Sequence, residues 1–539
     1  MAGAGENASY DLVLRGGIVY DGSGAPPIAA DLAMTGDAIA AVGSVGDARG
    51  RVDIDVAGLA VAPGFINMLS WAAEPLLADG RSQSDIRQGV TLEVFGEGVS
   101  LGPLSETMKL EQRERQGDIT YDVTWTTLAE GLEHLVGRGV SCNVGSFVGA
   151  TTLRIHEVGH ADRPPSADEL HRMRALAHEA MKAGAFGVGS SLIYAPACYA
   201  GTDELIALAE VAAEHGGMYV SHIRNEGQRL IEALDEFLSI SDRSGAPAEI
   251  WHFKAAAPAN WQKFDTAIAR IDAARAKGMR ITADMYTYAA SSTGLDATMP
   301  GWVQEGGHRA WVDRLKDPGV RTRLRHEMSA GQAGNEFLNA ERILLVGFRN
   351  PTLRHLTGRS LADVAAMRGT SPEDTIMDLV VEDDSRVGSV FFTMSEDNLR
   401  KAIERPWVSF CSDSGSLAPE GVFLNSGTHP RAYGSFARLF AKYVRDERTI
   451  PLTEAVRRLT GLPAHTLGLD RRGRLVPGYY ADVVVFDPDT IQDHATYERP
   501  HQYATGVAHV FVNGTHVLRD GEHTGATPGR VVKGPGARR

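Results

Sequence analysis

The stretch "APGFINMLSWA", residues 62–72, follows an apolar run, "VDIDVAGLAV", and passes a Pro-Gly pair before it enters a strand. A short apolar run bounded by turn residues reads as a fully buried strand of the kind that lines a parallel barrel. In such barrels chemistry sits at the C-terminal ends of the strands. This end offers Asn67, Leu69 and Trp71, none of them a good metal ligand. If the chain is an enzyme, its reactive groups must come from other strand ends.

Working outward, the middle of the chain alternates strand-like and helix-like segments. The strand-like runs are "GVTLEVFGEG" (89–98), "VSCNVGSFVG" (140–149), "AFGVGSSLIY" (185–194), "GMYVSHI" (217–223), "AEIWHFKAA" (248–256), "RITADMYTY" (280–288) and "PWVSFCSDSG" (406–415). Between several of them lie segments with apolar residues at three- and four-residue spacing, as in "SADELHRMRALAHEAMKAG". There Ser166 is the expected N-cap and a glycine the stop. With the opening strand this gives eight β-α units, an α/β protein built as a (β/α)₈ TIM barrel. The ends differ. Short strands punctuated by Asp-Gly, Gly-Gly and Asn-Gly turns occupy residues 1–61 and 471–539. They predict a small β-sandwich domain built from both chain ends around a barrel over 62–470. A stretch rich in Trp, Gly and charge, about 292–350, breaks the alternation as an insertion after the seventh strand.

Composition narrows the function. The net charge of −14 argues against a nucleic-acid partner. No apolar run is long enough to span a membrane, and the start "MAGAGENASYD" lacks a signal peptide's basic and apolar regions. Three cysteines, Cys142, Cys198 and Cys411, contain no CxxC and suit a reducing, cytoplasmic setting. Cys411 reads as a small buried thiol, and the tail "VVKGPGARR" as frayed. A homo-oligomer is left open.

The strand ends carry ionisable groups: Glu97 on the second, His222 on the fifth, His252 and Lys254 on the sixth, Asp284 and Tyr286 on the seventh, Asp413 on the eighth. One histidine at a strand end is more often a hydrogen-bonded structural residue. Two histidines, a glutamate and an aspartate on four such ends are not expected by chance, because burying unpaired charge is costly. Two imidazoles and a carboxylate can hold one divalent ion, Zn²⁺ first among them, and leave a position for water. Asp413 can then take that water's proton. Lys254, two residues after His252, faces the same side and is a candidate anion binder. Asp284 reads as a backbone-capping aspartate and is left out of the site.

Nearly the whole chain resembles the D-aminoacylases, the N-acyl-D-amino-acid deacylases of the amidohydrolase superfamily. The resemblance is carried by "YDLVLRGGIVYDGSG", "SHIRNEG", "DMYTYAASST", "SDSG", "HPRAYGSF" and "PGYYADVVVFDP". It implies hydrolysis of the amide bond of N-acyl amino acids, usually of the D series. It implies a metal on Glu97, which stands where the family has Cys, and on His222 and His252, with Asp413 as the acid/base. It also implies Lys254, Tyr286 and Arg431 around the substrate carboxylate, and Tyr194 as a pocket residue. The family's His-x-His pair falls on Leu69 and Trp71 and is missing. That loss implies one metal instead of two and a greasier pocket floor. Glu in place of Cys is a harder ligand that also admits Mn²⁺, Fe²⁺ or Co²⁺. Two alternatives stand beside this reading. A cyclic amidase of hydantoinase or dihydroorotase type would use Lys254 as a carboxylated bridge between two metals. A non-catalytic scaffold would explain the missing pair but not the surviving His222, His252 and Asp413.

Overall fold

The computed structural model of the chain describes residues 9–329 and 338–538. The residues on which the absence of a signal peptide was read begin before this range, and 1–8 lie outside the described residues. Eight parallel strands form the central barrel: β1 (Phe65–Asn67), β2 (Val90–Phe95), β3 (Asn143–Ser146, continued by Val148–Gly149), β4 (Gly187–Ser191), β5 (Met218–His222), β6 (Ala248–Ile250), β7 (Ile281–Met285) and β8 (Val408–Phe410). They are shorter than the apolar runs that announced them, because each run continues past its last ladder bond into the loops at the barrel mouth. Closure depends on the opening stretch. Asp413 N–H donates to the Leu69 carbonyl and Trp71 N–H to the Ser414 carbonyl, both at 2.9 Å, and Ser70 bridges Ser414 in parallel.

Asn67 explains part of the departure at this entrance. Its amide nitrogen donates to Asp85 Oδ1 (3.1 Å) and Ser412 Oγ (2.8 Å), and its oxygen accepts Ser412 N–H (2.9 Å). The residue zips the first strand to the eighth beneath the site.

The helices form where the apolar spacing places them. α1 (Ala167–Ala183) opens with a capping box in which Ser166 Oγ accepts Glu169 N–H and Glu169 Oε2 accepts Ser166 N–H, and ends on Gly184 at φ 116°. α2 (Thr202–Glu214) and α3 (Lys263–Ala276) cover neighbouring strands in the same way.

Between β7 and β8 the chain builds a three-stranded antiparallel sheet from Ser291–Gly294, Gly388–Phe391 and Ile343–Gly347, in that spatial order. A separate apolar cluster, including Trp311, Leu324, Leu345 and Phe391, packs beside it. The excursion expected at about 292–350 therefore extends to Phe391. Its central strand arrives last in sequence, after helices that look like ordinary barrel helices.

Strands from both ends join one nine-stranded sheet, in which Ala60–Pro63 pairs antiparallel with Val483–Phe486. The sheet curls until its hairpins meet. Asn513 and Gly514 both take positive φ, as a two-residue hairpin turn needs, and a Cβ on Gly514 would lie 2.0 Å from the Gly36 carbonyl. The tail expected to fray is instead tied to the barrel: Val532 N–H donates to Val144 O (2.7 Å) and Gly534 N–H to Gly184 O (2.8 Å). Glycine permits this approach, since a Cβ on Gly534 would lie 2.4 Å from Ala185 O. Among the described residues no helix is long and apolar enough to cross a membrane.

Candidate active site

At the mouth of the barrel, β5 delivers His222 as its last residue, while His252 and Asp413 sit just past β6 and β8. Both of the latter take left-handed backbone, at φ 38° and 47°, which non-glycine residues rarely adopt. Each is tied in place. Asp284 Oδ1 accepts His252 N–H at 2.6 Å, the backbone role expected of it, and also the Cys411 thiol at 3.3 Å. Asp413 is held through Leu69 as above. Glu97 follows Gly96, where a Cβ would collide with the Phe147 carbonyl at 2.5 Å.

Three of the predicted residues converge. Glu97 Oε1 lies 3.0 Å from His222 Nδ1 and 3.1 Å from His252 Nε2, all three side chains being buried. The imidazoles meet edge to face, 4.4 Å between centroids. Burial alone would push the Glu97 carboxyl up, but the hydrogen bonds from both histidines hold it well below the usual carboxylate range. Burial pushes His222 down, toward the neutral form that ligates a metal.

Behind the histidines stands a residue that sequence reasoning missed. Glu226 Oε1 is 3.4 Å from His222 Nε2, 3.2 Å from His252 Nδ1 and 2.6 Å from Lys254 Nζ. Each imidazole thus turns one nitrogen to Glu97 and the other to Glu226. Burial would raise the Glu226 carboxyl, but the Lys254 ammonium and the two histidines hold it below its usual range. Its one signal in the sequence was its place in "SHIRNEG", four residues after His222. Lys254 is accordingly engaged with a protein carboxylate and with His252 Nδ1 (2.7 Å), although it still lines the cavity.

Asp413 faces this cluster with both oxygens occupied. Oδ2 lies 2.7 Å from Arg431 Nη1, and Oδ1 accepts the Trp71 indole N–H at 3.1 Å. The same N–H reaches Glu97 Oε2, also at 3.1 Å. Trp71 is therefore more than the apolar bulk expected of it: the residue is 42% exposed at the mouth, while its indole N–H is turned toward the two carboxylates. Arg431 is buried, stacked 4.5 Å over the Tyr286 ring, and its Nε has no hydrogen-bond partner among the described residues.

Tyr286 does not line the cavity. It is fully buried and its hydroxyl donates to Met394 Sδ (3.3 Å), so it supports Arg431 from behind. Tyr194 does line the cavity, edge-on to His222 at 5.4 Å, with its hydroxyl on Thr293 Oγ1 (2.8 Å). The cavity holds about 570 Å³, and its lining includes Glu97, His222, His252 and Asp413 together with Arg115, Asp296 and Arg386. That is room for a small acylated molecule.

The donor set fits a divalent metal. One ligand atom from each of Glu97, His222 and His252 lies within 4.8 Å of the others, a carboxylate and two imidazoles of the kind that hold a divalent ion. A carboxylate behind metal-facing histidines is what fixes their tautomers in known metal sites.

Residues 150–518 match the amidohydrolase family. The chain is 33% identical to D-aminoacylase of Alcaligenes xylosoxydans xylosoxydans, over 98% of each chain. It superposes on a D-aminoacylase structure, described as having a binuclear metal center with one-metal activation and second-metal attenuation. The TM-score is 0.81 and the identity 34%, covering 97% of this chain and 100% of that one. The zinc- and phosphonate-bound N-acyl-D-glutamate deacylase of Bordetella bronchiseptica superposes with a TM-score of 0.80 at 30% identity, covering 97% and 99%. A D-hydantoinase from Thermus sp. reaches 0.54 at 13% identity, covering 98% and 100%, a likeness of fold.

Proposed function

Because this chain belongs to the amidohydrolase family, we propose that it is a mononuclear, metal-dependent deacylase of N-acyl amino acids of the D series. The observation that carries this reading is the convergence of Glu97, His222 and His252 on one point opposite Asp413. Glu97 Oε1, His222 Nδ1 and His252 Nε2 would hold the metal. When bound, a divalent ion supplies Lewis-acid chemistry, acidifying a water and polarising the amide carbonyl. Zn²⁺ suits the two imidazoles, and the glutamate widens the choice to Mn²⁺, Fe²⁺ or Co²⁺.

The remaining work falls to the chain itself. Glu226 stands behind both histidines, 3.4 Å from His222 Nε2 and 3.2 Å from His252 Nδ1, and its charge favours the orientation in which their other nitrogens turn toward Glu97. Asp413 takes the proton of the attacking water and returns it to the leaving amine, serving as base and then acid. Arg431 offers its unpartnered Nε to the substrate's carboxylate, and Tyr286 keeps the guanidinium flat against its ring. Lys254 adds positive charge at that end while bonded to Glu226. That engagement argues against the cyclic-amidase reading, in which Lys254 would be a carboxylated bridge. Three unpaired cysteines fit a cytoplasmic setting.

A panel of N-acyl-D- and N-acyl-L-amino acids, assayed with wild type and Asp413→Asn, tests the reading. The expected result is turnover of D substrates by wild type. Asp413→Asn should retain the metal and lose more than about a hundredfold in kcat, the scale of a general base. No turnover on any member, or a near-normal rate in Asp413→Asn, contradicts it.

A further inference from the structure

We propose that Trp71 is a positioning residue whose indole N–H links Glu97 to Asp413 and fixes the orientation of both carboxylates. The inference rests on the mononuclear reading above for its functional meaning, but its geometry stands alone. Nε1 is 3.1 Å from Glu97 Oε2 and 3.1 Å from Asp413 Oδ1, so one donor is shared by two carboxylates on different strands. Those carboxylates are nearly excluded from solvent and face each other across the site. Without a hydrogen-bond donor between them, two such buried carboxylates repel.

Four residues resolve this. The histidines hold Glu97 Oε1, Arg431 holds Asp413 Oδ2, and the indole takes the remaining oxygen of each. Each carboxylate is thereby fixed at both oxygens. Glu97 is steered to present Oε1 alone, and Asp413 keeps one rotamer toward the attacking water. A tryptophan suits this post because it donates without ligating. Leu69, the other position of the missing pair, is fully buried and offers no donor. Trp71 thus places a hydrogen-bond donor between two buried carboxylates at the entrance that lacks the ligand pair.

Trp71→Phe isolates the N–H while keeping an aromatic ring at a half-exposed position. Two measurements on the full chain decide the matter. In the first, the indole ¹⁵N–¹H resonance of Trp71, assigned as the signal absent from Trp71→Phe, is followed in Asp413→Ala. A clear shift is expected; an unmoved resonance overturns the proposal whatever the enzyme does. In the second, cobalt-loaded wild type and Trp71→Phe are compared by metal content, visible spectrum and kinetics. The expected result is unchanged stoichiometry, an altered cobalt spectrum as Glu97 gains freedom, and kcat reduced about tenfold with KM within about threefold. A folded Trp71→Phe with unchanged cobalt spectrum and kcat within twofold overturns it. So does a fall in Tm alone with kcat preserved. Failure of the deacylase reading shows up separately, as a wild type without turnover whose indole resonance still shifts.

Discussion

At the scale of single residues, the three positions that broke the expected ligand pattern each have another use. Asn67 joins the first and eighth strands, Leu69 is buried and supplies a backbone acceptor to Asp413, and Trp71 donates to two carboxylates. The residue types of the Glu97–His222–His252 cluster were legible in the sequence because chemistry restricts which side chains can ligate. Glu226 was not legible: a glutamate in a loop is usually a solvated charge, and only the fold brings it behind both imidazoles. Arg431 was legible as a cation but not in its pairing with Asp413. If it also grips the substrate carboxylate, wild type should discriminate against the matching N-acyl amino amide. The margin is roughly 1.5–3 kcal/mol, the cost of a lost charge-assisted hydrogen bond. Arg431→Met should narrow that gap while reducing turnover of the acid sharply. Equal losses on acid and amide in a well-folded variant would show that Arg431 serves only Asp413.

At the scale of elements, periodicity and turn chemistry identified all eight barrel strands and the capped helix at Ser166, because their local signals agree with the tertiary structure. Two elements were misread for physical reasons. The excursion after β7 was cut short at about residue 350, since a strand that completes a sheet some forty residues further on leaves no local mark. The tail was read as frayed from its glycines, yet those glycines are what let its backbone reach the carbonyls of β3 and of the Gly184 corner. Glycine content alone does not separate a loose segment from a closely packed one.

At the scale of the whole molecule, the barrel interior beneath the site contains the buried carboxyls Asp85 and Glu93, which form no salt bridge among the described residues. Burial pushes Asp85 up to about 7, and burial together with Asp85 pushes Glu93 up to about 8. In the unfolded chain such groups ionise near pH 4. Between about pH 4 and pH 8 the folded protein therefore keeps protons that the unfolded chain has released. Stability from this pair is fully present below about pH 4 and is lost as pH rises through 7 to 8, at roughly 1.4 kcal/mol per pH unit for each proton. Urea midpoints at pH 5.5 and 8.0 should show a smaller drop for Glu93→Gln than for wild type. Equal drops would mean that Glu93 is ionised in the folded state.

The central claim is that one metal is held by Glu97, His222 and His252. Elemental analysis of purified wild type beside His222→Ala and His252→Ala tests it most directly. The account predicts about one divalent ion per wild-type chain and loss of most of it in both variants. An active wild type without metal, or full retention of the ion in both variants, would contradict it.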